Sequence, residues 1–234
     1  MGRRKGYGIA VIAVLCMSIM LIWPISRYYA EAMFLRDKGG QVSNPAILSS
    51  IIILPEKEED WNEAGEIVAR ISSLPESLLE KIKDNGIRLK IFTDQLTDQP
   101  EAAHLKGVLP RGYTTTTWDD VPGMGGGRTV LVKAGSSDMG MGHDSMNLEL
   151  HELAHSIDSI ILSDRSQSEE FKQIWREEVA HVFPGRDYFL EYPEEYFAET
   201  FTLYYYDEEM RSRLYTNAPK TFAFFEQLEL TQFA

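Results

Sequence analysis

The sequence predicts an α+β domain with a small sheet in its first half and a mainly helical second half. Short apolar runs bounded by Pro, Gly and Asn precede residue 135, and apolar residues recur at helical spacing from Asn147 onwards. The chain has 234 residues, of which 44% are hydrophobic and 25% are charged. These values are typical of one globular domain with attachments. Neither a repeat nor an internal linker divides the body of the chain.

The net charge of −13 argues against nucleic acid as a partner. Binding of phosphate backbones requires clustered Lys and Arg. The one such cluster, at residues 3–5, stands at the extreme N-terminus. We therefore expect no nucleic-acid partner.

Residues 1–32 are predicted to be a signal peptide or an uncleaved signal anchor. Basic residues at 3–5 precede an apolar run at 9–25, and residues 30–32 (AEA) offer small side chains for cleavage. The uncharged stretch 6–26 has 21 residues, which is long enough to span a bilayer, so both interpretations stay open. Either one would leave the rest of the chain outside the membrane, secreted or anchored, with membrane contact through this segment alone.

The body is predicted to begin with a polar tether at 33–46 and to continue as one domain at 47–234. The one cysteine, Cys16, lies in the apolar run, so the body has no disulfide. The elements predicted before residue 135 are a buried strand at 47–54, helical residues at 61–83 with a new helix beginning at Pro75, a turn at 85–86, a strand at 87–92, mostly loop at 95–127 and a strand at 129–134.

The strongest functional signal is the pentapeptide HELAH, which begins at His151. Residues four apart lie on one face of a helix, so His151 and His155 can converge on one metal ion. Glu152 projects beside them and can act as a general base on a water molecule. Apolar neighbours predict a helix here, with Asp144 or Ser145 as its N-cap. Because short motifs also arise by chance, a surface helix with two unrelated histidines is the alternative.

A catalytic zinc site needs a third protein ligand and leaves a fourth position for water. Asp158 lies near the face of His151, but about 4.5 Å further along the helix axis than His155. That position suits a supporting residue better than a ligand. A third histidine after a glycine turn, as in metzincins, is excluded because residues 159–162 continue the helix and only His181 follows.

The remaining source of a third ligand is a carboxylate from a later helix, which Pro193 would begin. Glu195 and Glu199 share one face of that helix, so one can bind the metal while the other orients a histidine. Their spacing does not decide which, and a solvated acidic helix start is the alternative. Tyr188 and Tyr192 precede this helix, and either hydroxyl could stabilise the charge that develops on an attacked carbonyl.

Several segments together resemble one known family. Residues 147–158 (NLELHELAHSID) resemble the active-site helix of the Pro-Pro endopeptidases, which are secreted bacterial relatives of the anthrax lethal factor catalytic domain. The other matching segments, in the family order, are 109–113 (LPRGY), 118–123 (WDDVPG), 193–201 (PEEYFAETF) and 218–222 (APKTF). The resemblance covers about residues 47–230. It implies a zincin-type metallopeptidase domain with the small sheet over the active-site helix.

By position, the resemblance implies that Glu195 is the third ligand of one zinc ion per chain and that Glu199 supports a ligand. It also implies that Tyr188 stabilises the oxyanion. Glu152 would activate the water and pass its proton to the leaving amine.

The resemblance further implies that Trp118 and Glu194 line the substrate cleft, where the flat indole would pack against prolines. From the residues alone, Trp118 could equally anchor a loop on the core. His143 precedes the helix and is a further candidate near the substrate, with a capping or structural role as the alternative. Thr116 and Thr117 stand where the family leads us to expect a basic residue, which leaves a charge pair with Glu194 open.

Together these features predict a secreted or surface-anchored zinc metalloendopeptidase that cuts extracellular proteins at proline-rich, Pro-Pro sites. The alternatives are a zinc endopeptidase without Pro-Pro specificity and a non-catalytic zinc-binding surface protein. Glu152 favours an enzyme because a binding module needs no base beside its metal. The glycine-rich stretch 123–127 is either a mobile loop over the cleft or a tolerant turn.

Overall fold

The computed structural model describes residues 43–233. The predicted signal segment and most of the predicted tether lie outside these residues. The tether boundary at 46 differs from the structure by two residues, because a helix already begins at Pro45. Within the described part of the chain, no helix is both long enough and apolar enough to cross a bilayer.

The first apolar run is mainly a helix, so the buried strand predicted at 47–54 is wrong for most of its length. Helix α1 (Pro45–Ile51) leads directly into the two-residue strand β1 (Ile52–Ile53). Its proline lies in the first helical turn, where a fixed φ and a missing N–H are tolerated. Leu48 and Ile51, three residues apart, are both fully buried. A run this short has no periodicity that separates a strand from a buried helix.

A four-stranded sheet organises the N-terminal half. Helices α2 (Trp61–Ser72) and α3 (Glu76–Asp84) precede β2 (Arg88–Phe92), and a long loop region then leads to β3 (Gly123–Met124) and β4 (Thr129–Lys133). The strand order is β1-β2-β4-β3, with β3 antiparallel to β4 at one edge and the other pairs parallel. The two longer strands agree with the prediction to within one residue. The short β3 lies in the stretch predicted as mostly loop.

Helices form the C-terminal half, as predicted. They are α4 (Leu148–Ser156), α5 (Glu169–Val182), α6 (Asp187–Glu191), α7 (Pro193–Tyr206), α8 (Glu208–Asn217) and α9 (Pro219–Thr231). α4 packs along α7 on one side and against β3 and β4 on the other. The predicted small sheet over the motif-bearing helix is therefore confirmed. Below it lies an aromatic core that includes Phe171, Tyr196, Phe197, Phe201 and Phe225.

The N-cap of α4 is Asn147, and the predicted caps Asp144 and Ser145 are wrong. The side-chain Oδ1 of Asn147 accepts a hydrogen bond from the backbone N–H of Leu150 at 3.1 Å. This bond satisfies one of the first N–H groups of the helix, which have no partner within it. α4 therefore begins three residues before the first histidine.

A buried carboxylate on α5 joins the last helix to the core. Glu178 is 5% exposed, and its Oε1 accepts a hydrogen bond from the backbone N–H of Lys220 at 2.8 Å. Its Oε2 accepts bonds from the backbone N–H and the hydroxyl of Thr221, each at 2.8 Å. Glu178 thus caps α9 from another helix. The neighbouring Glu177 instead pairs with the Lys220 side chain at the surface.

We expect Glu178→Gln to lower the free energy of unfolding by about 1–3 kcal/mol, because an amide cannot accept at both ends and leaves a buried N–H unpaired. Glu177→Gln removes only an exposed ion pair and should cost less than about 1 kcal/mol. Urea unfolding of both variants beside the parent measures the difference. Equal losses would contradict the capping role.

Candidate metal centre and cleft

The three predicted metal ligands meet where α4 and α7 pack together. His151 Nε2 lies 3.2 Å from Glu195 Oε2, and His155 Nε2 lies 3.4 Å from the same oxygen. One donor atom from each residue lies within 4.8 Å of the other two. The two histidines point the same way because they are one turn apart on α4. Two imidazole nitrogens and a carboxylate oxygen match the donor set of a catalytic zinc site, so the residues fit such an ion.

Glu199 contacts His151, one of the candidate metal ligands, as a supporting carboxylate would. Its Oε2 lies 3.0 Å from His151 Nδ1, and its Oε1 accepts a hydrogen bond from the backbone N–H of Met146 at 2.8 Å. A proton on Nδ1 leaves Nε2 facing Glu195 and the metal position. Outer carboxylates commonly impose this orientation on metal-binding histidines.

Burial and charge pairing shift the pKa values of Glu195 and His151 in opposite directions. Burial disfavours the charged form of Glu195, but hydrogen bonds and Coulomb attraction from His151 and His155 hold its pKa well below its usual range. Burial also lowers the pKa of His151, yet the contacts with Glu195 and Glu199 outweigh it and raise that pKa to about 10. A cation bound here would take the place of this proton, because metal ligands must be deprotonated.

Glu152 lies beside the ligands on α4 and lines the cleft. Burial raises its pKa, the positive charge on His151 and His155 opposes that shift, and repulsion from Glu195 adds to it. A carboxylate whose pKa is raised accepts a proton more readily near neutral pH, which suits a general base.

The glycine-rich stretch 123–127 is pressed against the helix that carries Glu152. A Cβ atom on Gly125 would stand 2.0 Å from the carbonyl oxygen of Glu152, and one on Gly123 would stand 2.9 Å from the Glu152 side chain. No other residue type can occupy such positions without a shift of backbone or side chain. The glycines therefore allow β3 to approach α4 closely.

The same stretch is also hydrogen-bonded to α4 and to the π-helical turn that follows it (Ile157–Ile161). The backbone N–H of Gly126 donates to Ser156 Oγ at 3.0 Å, and Ser159 Oγ donates to the carbonyl oxygen of Gly126 at 2.8 Å. A mobile loop and a tolerant turn were the two interpretations of these glycines. The contacts instead describe a strand end held against the helix.

We expect Gly125→Ala to lower the free energy of unfolding by about 1–3 kcal/mol or more, since the added methyl forces strand and helix apart. Gly127→Ala is the matched control, because a Cβ there meets nothing closer than 3.9 Å and its φ is not positive. The control should stay within about 1 kcal/mol of the parent in denaturant unfolding. If Gly125→Ala were equally stable, the close approach would be disproved.

Of the two candidate tyrosines, Tyr188 has its hydroxyl next to the candidate metal ligand Glu195. Its hydroxyl donates to Glu195 Oε1 at 2.9 Å. Burial, Coulomb repulsion from Glu195 and this hydrogen bond raise the pKa of Tyr188, so the hydroxyl keeps its proton. Tyr192 lies with its ring against the guanidinium of Arg111 instead.

The ligands open onto a cleft of about 850 Å³, which Trp118 and Glu194 line as predicted. Trp118 also packs against a small core cluster that is separate from the main core and is formed by Phe92, Leu96, Ala102 and Leu131. The two interpretations of this tryptophan are therefore compatible, because it packs on this cluster and also borders the cleft.

His143 lines the cleft too, but its ring is engaged by its own loop. Its Nδ1 lies 2.7 Å from Ser145 Oγ, and its Nε2 lies 2.8 Å from the carbonyl oxygen of Ser136. Burial lowers the pKa of His143. These contacts favour the structural alternative for this residue over direct binding of substrate.

Asp158 follows His155 by about one turn and also lines the cleft. Its Oδ1 accepts a hydrogen bond from the backbone N–H of Ser166 at 2.9 Å. It is not one of the three residues that converge on the candidate metal position. Its contact braces the turn that ends the helical segment.

Similarity to known proteins covers almost the whole chain. The family model described as "Anthrax toxin lethal factor, N- and C-terminal domain" matches residues 41–228. A Pro-Pro endopeptidase of Clostridioides difficile (strain 630) is 39% identical over 220 residues, which cover 93% of this chain and 96% of the relative. The chain belongs to the Pro-Pro endopeptidase family.

Two further comparisons agree with that membership. A Pro-Pro endopeptidase of Paenibacillus alvei is 36% identical over 219 residues, which cover 93% of this chain and 96% of the relative. A solved structure of the Pro-Pro endopeptidase from Paenibacillus alvei matches with a TM-score of 0.73 and 40% identity, over 78% of this chain and 99% of that one. The resemblance found in the sequence and the α+β fold that it implied are confirmed.

Sequence reasoning did not identify Arg111 as part of the site, although residues 109–113 carry part of the Pro-Pro endopeptidase resemblance. Arg111 forms the charge pair with Glu194 that stayed open because threonines, and no basic residue, precede Trp118. Its Nη1 donates to Glu194 Oε1 at 2.7 Å, and its Nη2 donates to Glu195 Oε1 at 3.1 Å. The first pair joins residues 83 positions apart, so no local spacing could have revealed it.

Proposed function

We propose that this chain is a zinc endopeptidase that hydrolyses the peptide bond between two prolines. His151, His155 and Glu195 would hold one zinc ion. The observation that carries the proposal is the convergence of these three donors with a half-buried carboxylate, Glu152, beside them in an open cleft. The names of the relatives, both Pro-Pro endopeptidases, support the choice of bond.

When bound, the zinc ion would polarise the scissile carbonyl and lower the pKa of water. Glu152 then accepts a proton from the attacking water and delivers it to the leaving nitrogen. This nitrogen belongs to a proline and needs the proton to leave as an amine. The raised pKa of Glu152 favours its protonated form between these two steps.

Tyr188 supplies the hydrogen bond that the developing oxyanion requires. Its hydroxyl already lies at the metal centre, 2.9 Å from Glu195 Oε1, and it retains its proton at neutral pH. As charge develops on the substrate's carbonyl oxygen, the hydroxyl moves its hydrogen bond from Glu195 Oε1 to that oxygen. A donor of this kind typically contributes about 10²–10³ in turnover.

The substrate we propose is a flexible, proline-containing segment of an extracellular protein. Trp118 borders the cleft and offers a flat apolar surface on which a proline ring can pack. Export is supported by the basic and apolar pattern of residues 1–32, as a cleaved signal or as an anchor that leaves the catalytic domain outside. Contact with a membrane would involve that segment alone.

A peptide library tests activity and bond preference together. We expect the zinc-loaded protein to cleave peptides that contain Pro-Pro and to spare the same peptides with either proline replaced by alanine. Cleavage without this preference would identify a zinc endopeptidase of other specificity. A zinc-loaded protein that cleaves no peptide would favour a non-catalytic zinc-binding protein.

Glu152→Gln should bind one zinc per chain and lose cleavage by at least about 10²-fold, since the base is removed and the ligands stay. Metal analysis and single-peptide kinetics measure the two properties separately. Cleavage near the parent rate would contradict the role of Glu152.

Tyr188→Phe should lower kcat by about 10²–10³ while zinc content is unchanged, because only the hydrogen bond to the oxyanion is lost. Tyr192→Phe is the matched control, and its kcat should stay within about threefold of the parent. Loss of zinc in Tyr188→Phe, or an equal fall in the control, would count against the assignment.

A further inference from the structure

Glu195 presents its two carboxylate oxygens to different partners. Oε2 faces His151 Nε2 at 3.2 Å and His155 Nε2 at 3.4 Å. Oε1 accepts hydrogen bonds from the Tyr188 hydroxyl at 2.9 Å and from Arg111 Nη2 at 3.1 Å. The Glu195 side chain is only 8% exposed, so little water can compete for Oε1.

Arg111 is itself held by residues that are not proposed metal ligands. Its Nη1 donates to Glu194 Oε1 at 2.7 Å, and Glu194 Oε2 accepts a second bond from Gln167 Nε2 at 3.0 Å. Its guanidinium carbon lies 3.9 Å from the centre of the Tyr192 ring. A planar guanidinium bonds carboxylates through a rigid fork of donors while its flat face stacks on an aromatic ring, and a lysine ammonium has no such planar fork. Arg111 therefore meets Glu195 from a fixed direction.

We propose that Arg111 is a positioning residue of the metal centre. By holding Oε1 of Glu195, it keeps Oε2 as the oxygen that faces the two histidines. This inference rests on the proposed zinc site. The terminal torsion of a glutamate is otherwise broad, so an unanchored carboxylate must be ordered when the metal binds. Arg111 and its neighbours impose that order beforehand, and preorganisation of this kind strengthens binding.

The segment that carries Arg111 also lies against Tyr188, the other donor to Glu195 Oε1. The neighbouring Gly112 has a φ of 84°, and a Cβ there would meet the Tyr188 ring at 3.4 Å. The loop that carries Arg111 thus packs on the tyrosine that shares Oε1 with it. The segment that carries one donor to this oxygen therefore lies close to the ring of the other donor.

The charge of Arg111 and its positioning role have opposite effects on the affinity of the site for zinc. A guanidinium close to a cation site repels the cation, so its removal would strengthen zinc binding if charge were its only contribution. A positioning role predicts weaker binding when Arg111 is removed. The sign of the change therefore separates the two explanations.

The test measures zinc dissociation constants of the purified protein by competition with a chromophoric chelator, without substrate. We expect Arg111→Ala to weaken zinc binding about tenfold or more, the usual scale for residues that orient a ligand. Arg111→Lys keeps the positive charge but loses the rigid fork of donors and the flat face, so it should lie between the parent and the alanine variant. Denaturant unfolding of the zinc-free proteins should be unchanged, because the Arg111 side chain is 49% exposed.

Arg186→Ala is the matched control. Arg186 lines the same cleft, and its Nη2 donates to the carbonyl oxygen of Asp144 at 3.2 Å. Its loss should change the zinc dissociation constant by less than about twofold. Unchanged or tighter zinc binding by Arg111→Ala would overturn the proposal, as would an equal weakening by Arg186→Ala. Because no substrate is used, a protein that binds zinc and cleaves nothing would refute the proposed function without deciding the role of Arg111.

Discussion

The packing of α4 against α7 is the constraint on which the site depends. It buries two carboxylates, Glu195 and Glu199, at 6% and 4% exposure, where an unpaired charge would be strongly unfavourable. Each carboxylate has a partner on α4. Glu195 Oε2 lies next to Nε2 of His151, and Glu199 Oε2 lies next to Nδ1 of the same ring. Buried ion pairs add little stability compared with apolar packing. Their presence at this contact is better explained by the metal that they and the histidines can hold.

A second contact fixes the opposite side of α4. Gly123 and Gly125 let the strand approach the helical turn that carries Glu152. Gly126 is hydrogen-bonded through its N–H to α4 and through its carbonyl oxygen to the π-helical turn that follows. Glu152, the proposed base, therefore lies on a helix that is hydrogen-bonded to the adjoining strand end. Catalytic groups act best when their surroundings hold them near the reacting geometry. The cleft then opens on the side where Trp118 and the Arg111 loop supply the wall.

Site residues that lie close together in the sequence could be predicted from it, and those that lie far apart could not. The two histidines and Glu152 were predictable because a single helical turn relates them. The sequence narrowed the third ligand to Glu195 or Glu199, which share a face of α7. Only the resemblance and then the packing of the two helices separate them.

The failures have physical causes as well. The run at 47–54 was too short to show whether its period was that of a strand or a helix. The cap of α4 was misjudged because three polar residues, Asp144, Ser145 and Asn147, stand close together and only the backbone conformation selects one. Arg111 was missed because its partners on α7 lie more than 80 positions away. Tertiary pairs at such separations leave no local pattern in one sequence.

X-ray absorption at the zinc edge of the zinc-loaded protein tests directly whether His151, His155 and Glu195 hold the ion. We expect one zinc per chain with a first shell of two imidazole nitrogens, a carboxylate oxygen and a water oxygen. Glu195→Gln should alter this shell, while Glu199→Gln should leave its ligand types unchanged. A shell without histidine nitrogens, or one that Glu195→Gln leaves unaltered, would contradict this ligand set.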